Sequence, residues 1–268
     1  MSDFDVTELG STALIRARTL MAQLRNKESG CPWDVAQDYK SIGRYTIEEA
    51  YEVVQAIENE DMAELKDELG DLLLQVLFYA QMAQEDGYFD LDDVANGLVE
   101  KMVRRHPHVF GNISVADADA QTLAWEEQKA SERAQAGDSV SALDGVALGL
   151  PALLRAQKLQ KRAARVGFDW PDIAPVIDKL KEEADEIAEA KSNSNPAHIA
   201  EEVGDFLFAA VNMARHLGVD AEDALRAANK KFTRRFTHVE THAGETLSEM
   251  TLDDMETLWQ DAKRIEKL

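Results

Sequence analysis

The sequence predicts an all-α fold made of two tandem, repeated helical-bundle domains, and three observations carry the prediction. Apolar residues recur at helical spacing, as in Leu9, Ala13, Leu20 and Leu24. No stretch shows the period-two alternation or β-branched enrichment of a strand. The third observation is an internal repeat: Glu182, Glu186, Glu202 and Asp205 each stand 134 positions after Glu48, Glu52, Glu68 and Asp71. A register held that long divides the 268 residues into two domains, residues 1–135 and 151–268, joined by a linker over 136–150.

The elements follow in order. A helix is expected from about Thr7 to Lys27, closed by the turn Glu28-Ser29-Gly30-Cys31-Pro32, with Trp33-Asp34 leading into a loop. A second helix, Ile42 to Glu58, carries the first acidic cluster, with Ile47, Ala50, Val54 and Ile57 as its inner stripe. Asp61 is placed to cap the next helix, which bears Glu68 and Asp71, continues as Leu72 to Phe78 and stops near Gly87. Asp90 opens a helix ending before Pro107, and a fifth helix spans Leu123 to Ala134 with Trp125 and Lys129.

The second half repeats this plan. A helix from Pro151 to Val166 leads to the turn Gly167-Phe168-Asp169-Trp170-Pro171, and two acidic helices follow, divided by Asn193-Ser194-Asn195-Pro196. After Asp220 comes a helix with Lys231 and Arg235, which match Lys101 and Arg105 at an offset of 130, so the intervening loop is four residues shorter. The last helix holds Trp259 and Lys263, where the offset of 134 returns.

With 51 acidic and 29 basic residues the net charge is −22, which opposes nucleic-acid or anionic-membrane binding. The first residues carry neither the basic nor the apolar run of a signal peptide, and the longest apolar run, Leu72 to Ala83, is too short to span a bilayer. A cytoplasmic protein is expected. Cys31 is the single cysteine, so no disulfide forms within the chain.

On a helix, residues three apart share a face, so Glu183 pairs with Glu186 and Glu202 with Asp205. Packed antiparallel, two such helices turn four carboxylates to one spot. Directly after Asp205 runs Phe206 to Val211, apolar all round, which reads as a buried helix. Carboxylates without histidine describe a hard-cation site for Mg²⁺ or Mn²⁺. A di-iron bundle needs Glu-x-x-His, and none of the six histidines follows a glutamate at that spacing. The anion to bridge such cations is a phosphate chain. Lys231 and Arg235, one turn apart, form with Lys263 a clamp for it, and Trp170 or Trp259 can stack on a base or fill a core. No Walker A sequence is present.

These residues resemble a known family. Glu-Glu-x-x-Glu followed by Glu-x-x-Asp, twice, with Cys31-Pro32-Trp33-Asp34 in one half and Val166-Gly167-Phe168-Asp169-Trp170 in the other, is similar to the two-domain bacterial MazG proteins, of the all-α NTP pyrophosphatase superfamily. The resemblance implies Mg²⁺-dependent hydrolysis of nucleoside triphosphates to monophosphate and pyrophosphate, usually in a homodimer. It places metal ligands on Glu183, Glu186, Glu202 and Asp205, and nucleotide contacts on Lys179 to Glu182, Lys231, Arg235, Trp259 and Lys263. It further implies that the C-terminal half is the working site, with Glu49, Glu52, Glu68 and Asp71 as a second, weaker one. Tyr45 stands where the second half has Lys179, and His198 where the family has a lysine. Either Glu182 or Glu183 is left to orient the attacking water. A different class of function fits the same residues: a nucleotide-sensing or partner-binding module with little turnover.

Overall fold

The computed structural model describes residues 13–111, 117, 121, 124, 125, 128 and 141–266. The described residues are helices and turns with no strand, as the sequence predicts. The chain divides into two compact units, Met1–Ser131 and Glu132–Leu268.

In the first unit α1 (Ala13–Leu24) is followed by the short α2 (Pro32–Ala36), then α3 (Gly43–Glu58), α4 (Met62–Glu85), α5 (Leu91–Arg105) and a single turn, α6 (Pro107–Phe110). Helix α1 stops short of the expected Lys27, because the Asn26 side chain accepts the backbone N–H groups of Glu28 and Ser29 and turns the chain. Residues 7–12 lie outside the described residues. Gly30 is required there: a Cβ would sit 2.3 Å from the carbonyl oxygen of Leu24. Trp33 and Asp34 do not enter a loop as expected; Pro32, preset for the first helical position, starts α2 over them.

Helix α3 packs along α4, and of the inner stripe expected only Val54 is turned partly inward, half-buried. Ala56 is buried and Tyr45, Thr46, Glu49 and Val53 are half-buried, at spacings of three and four, whereas Ile47, Ala50 and Ile57 are exposed. The apolar arc of α3 is wider than the one helix it packs against, so periodicity alone chose the wrong edge of it. The same limit corrects the reading of the segment after Asp205. Ala209 and Val211 are buried, but Leu207 and Phe208 stand about half exposed. The core of the first unit joins Met21, Ile42, Leu77, Phe78 and Met82, with Tyr45 and Tyr79 packed against it.

The second unit comprises α7 (Ala152–Arg165), α8 (Ile173–Ser192), α9 (Pro196–His216), α10 (Ala221–Ala243), a 3₁₀ turn (Gly244–Glu249) and α11 (Leu252–Ile265). The repeat extends to backbone detail. Asp61 caps α4 and Asn195 caps α9, at the same repeat position, and the residues before them, Glu60 and Ser194, both take positive φ, 56° and 53°. Asp90 and Asp220 likewise cap α5 and α10. Each hairpin connection thus turns tightly enough to lay two acidic helices side by side. Of the expected fifth helix, Trp125 is described, donating its indole N–H to the Arg105 carbonyl at 2.8 Å, while Lys129 and residues 136–140 lie outside the described residues.

Candidate active site

Helices α8 and α9 pack against each other and bring the second acidic set together. Carboxylate oxygens of Glu183, Glu186 and Glu202 all lie within 4.8 Å of one another. Glu183 is the most enclosed, 4 % exposed. Its Oε1 receives the Lys179 ammonium at 2.7 Å, while its Oε2 is buried without a hydrogen-bond partner. A buried carboxylate oxygen with no donor is costly unless a cation meets it, and three hard oxygen donors this close suit a divalent ion. His198 lies with its Nε2 2.8 Å from Glu202 Oε1.

The other expected site residues are placed less uniformly. Asp205 is exposed and lies outside the three-carboxylate group, but it lines the adjoining cleft with Glu183, Lys179 and Trp170. Glu182 is exposed and receives the Lys179 ammonium at 2.7 Å. Burial, partly offset by Lys179 and reinforced by Glu183 and Glu202, raises the Glu186 carboxyl above its ordinary range. Hydrogen bonds to Glu182 and Glu183 push the Lys179 ammonium strongly up, so it stays charged.

The basic set is not among the cleft-lining residues. On α10 and α11, Arg235 and Arg234 both bond Glu266, at 2.7 and 2.6 Å, and the Arg235 guanidinium sits 5.8 Å from the Trp259 ring centre. Phe232 packs on Trp259 with centres 5.3 Å apart. Trp259 is therefore engaged within this cluster, with Lys231 exposed and Lys263 half-buried on the same two helices. A lone helix face shows cations one turn apart, but not that an acid thirty residues on will claim two of them.

In the first unit the grouped oxygens belong to Glu49, Glu68 and Asp71. Glu52 stands outside that group yet close enough to matter. Burial, then the charges of Asp71 and Glu52, raises Glu49; burial, then Glu52 and Asp71, raises Glu68. Tyr45, at the position of Lys179, offers no ammonium, and its hydroxyl accepts from Arg44 at 2.6 Å.

Sequence reasoning missed the far end of the cleft, which has a volume of about 770 Å³. There Asp169 accepts a bond from Arg215 Nη1 at 2.9 Å and lies 3.1 Å from His216 Nε2, while the Asn212 side-chain oxygen accepts from Arg215 Nε at 3.0 Å and Nη2 at 2.6 Å. Arg215 holds the Asp169 carboxyl below its usual range. A signal was present. At the repeat offset Asn212 and His216 stand where the first half has Phe78 and Met82, so these two are polar departures within an otherwise parallel apolar helix, and Arg215 replaces the neutral Gln81.

Comparison with known proteins agrees with this geometry. A family model described as the MazG nucleotide pyrophosphohydrolase domain matches residues 37–110 and 174–240, the two acidic hairpins with the helix that follows each. The chain is 51 % identical over 256 residues to the nucleoside triphosphate pyrophosphohydrolase of Escherichia coli K12, covering 94 % of this chain and 97 % of that one. It is 41 % identical over 248 residues to the nucleoside triphosphate pyrophosphohydrolase/pyrophosphatase MazG of Thermotoga maritima, covering 91 % and 93 %. An uncharacterized Bacillus subtilis protein, YabN, is 45 % identical over 93 % of this chain and 51 % of its own length. With two matched domains and relatives spanning nearly its whole length, the chain belongs to the MazG nucleotide pyrophosphohydrolase family.

Proposed function

We propose that this chain hydrolyses nucleoside and deoxynucleoside triphosphates at the α-phosphorus, releasing the monophosphate and pyrophosphate, in control of the cytoplasmic nucleotide pool. The observation that carries the reading is the unpartnered, buried Oε2 of Glu183, with Glu186 and Glu202 oxygens within 4.8 Å, beside a cleft large enough for a nucleotide. Glu183, Glu186 and Glu202 would hold Mg²⁺, or Mn²⁺ in its place, with Asp205 at the rim as a further ligand. When bound, the cation supplies charge neutralisation for the phosphate chain and polarises the attacked phosphorus centre.

The remaining work belongs to side chains of this unit. Lys179 stays protonated beside Glu182 and Glu183 and offsets part of the carboxylate charge that repels an anionic substrate. Glu182, exposed at the edge of the cluster, is the carboxylate free of the metal set and is suited to orient the attacking water. Lys231, Arg235 and Lys263 are available to the departing pyrophosphate once the substrate displaces Glu266. The second unit is the main site on this reading, because it alone pairs the cluster with a lysine at the position of Lys179.

A homodimer suits the exposed apolar side chains on both acidic hairpins, Ile47, Leu69 and Leu73 in one unit and Val203 and Leu207 in the other. No helix among the described residues is long and apolar enough to cross a membrane. The bond broken is the decisive test. With ATP in ¹⁸O-water, label is expected in AMP with unlabelled pyrophosphate released; ADP and orthophosphate as first products would overturn the reading.

A further inference from the structure

Helix α10 ends in His238-Val239-Glu240-Thr241-His242, beyond Arg235 and outside both the carboxylate group and the cleft. Residues four apart share a helix face, so both imidazoles rise from one side of the last turns. Their ring centres are 3.9 Å apart, with the planes 32° from parallel. That is closer than the roughly 4.5–7 Å at which packing alone holds aromatic pairs. His242 Nδ1 lies 2.7 Å from the His238 carbonyl oxygen. A carbonyl can only accept, so Nδ1 carries the proton and Nε2 keeps its lone pair, the form in which a histidine binds a metal. Among the described residues no hydrogen bond reaches Nε2 of His242 or either ring nitrogen of His238. His238 is half-buried and His242 exposed, so an ion can enter from solvent.

We infer that His238 and His242 form a two-histidine chelate for a transition-metal dication of the Zn²⁺, Ni²⁺ or Cu²⁺ class, with water completing its coordination. Imidazole nitrogen suits these ions and not Mg²⁺, which prefers oxygen, so this site and the carboxylate group select different cations. Tetrahedral bonds of about 2.0–2.1 Å hold two ligand nitrogens roughly 3.3 Å apart, within reach of rings whose centres are 3.9 Å apart. Two histidines at i and i+4 on one helix face are a recurrent zinc-binding arrangement. The place suits a cation as well. The last turn of α10 presents the negative end of the helix dipole, and the net charge of −22 draws cations to the protein. The pair is not part of the duplicated plan, because at the offset of 130 the first half has His108 and Asn112. A bound ion would clamp the end of α10 where the chain passes into the 3₁₀ turn.

The test uses the full chain, with Zn²⁺ as the probe and excess Mg²⁺ to occupy the carboxylate groups. In equilibrium dialysis the wild-type protein should hold about one equivalent of Zn²⁺ more than His238→Gln and about one more than His242→Gln, since neither imidazole alone makes a chelate. Zn²⁺ taken up elsewhere is common to the three proteins and cancels in the difference. Hydrogen exchange gives a second readout that needs no variant. At free Zn²⁺ ten times the dissociation constant, amide exchange over residues 238–243 of the wild type should slow about tenfold relative to EDTA. In both variants Zn²⁺ should leave it unchanged. Equal Zn²⁺ uptake by the three proteins, or a loss in only one variant, would overturn the chelate. So would Zn²⁺ uptake by the wild type that leaves exchange in the last turns of α10 unaltered.

Discussion

In the first unit Phe78 packs with Met21, Ile42, Leu77 and Met82, and the Arg25 guanidinium lies over its ring at 5.3 Å. In the second unit the same repeat position holds Asn212, which faces a cleft and is oriented by Arg215. The first cluster groups Glu49, Glu68 and Asp71 with Tyr45 at the position of Lys179, and the Glu49 and Glu68 carboxyls are raised. The second groups Glu183, Glu186 and Glu202 with Lys179 at 2.7 Å from Glu183, and the Glu186 carboxyl is raised. Duplication thus preserved the acidic hairpin in both halves, while the position that lines the cleft in the second unit is packed into the core in the first. Lys179, against Tyr45 at the same repeat position, distinguishes the second cluster from the first.

The largest contrast is expected in turnover. Glu202→Gln removes a carboxylate from the open unit at constant shape and should lower kcat/KM by more than about a hundredfold, whereas Glu68→Gln should change it by less than about threefold. Equal losses, in assays with purified variants and excess Mg²⁺, would break the comparison. Excess EDTA should abolish turnover outright.

Stability should show the reverse order. Phe78→Ala empties a filled core and should cost about 3 kcal/mol. Asn212→Ala, at the wall of an open cleft, should cost about 1 kcal/mol. Urea unfolding of the two variants checks this, and a larger loss for Asn212→Ala would mean that the second unit's cleft is a structural core.

The raised carboxyls sharpen the comparison by pH. A carboxyl raised in the folded state contributes stability that is fully present below its unfolded pKa, about 4.3 for Glu, and is lost as pH rises through the folded value. Glu68→Gln should therefore raise the melting temperature in EDTA at neutral pH, and the gain should shrink towards pH ~4 as the wild-type carboxyl takes up its proton. Added Mg²⁺ should shrink it too. Asp169, lowered by Arg215, has the opposite sign: its contribution is present above the unfolded Asp value and is lost as pH falls through the depressed one. Acid should thus loosen the Asp169 end of the second cleft while relieving the first cluster.

The smallest effect concerns Glu266. Its carboxyl, held low by Arg235 and Arg234, competes with phosphate for both guanidiniums. Glu266→Gln should lower KM for triphosphate by about two- to threefold with kcat unchanged, since an exposed ion pair is worth little. A rise in KM would show that Glu266 orients Arg235 for substrate rather than withholding it.

The sequence determined what depends on local chemistry. Helical periodicity, the caps at Asp61, Asp90 and Asp220, and the register of the repeat are set within a few residues or by duplication, so the all-α fold and the grouping of Glu183, Glu186 and Glu202 are legible from residue order alone. What tertiary packing decided is which edge of a wide apolar arc turns inward, and so periodicity misplaces Ile47 and Ile57 on the inside. Packing also decided that Glu266 captures Arg234 and Arg235, and that Asp205 stands at a cleft rim rather than in the tight carboxylate group. The Asp169 end of the cleft depends on packing most. Gln160, Asp169, Asn212 and Arg215 come from α7, the turn before α8, and α9, and side chains that far apart in sequence acquire a common purpose only when three elements close around one space.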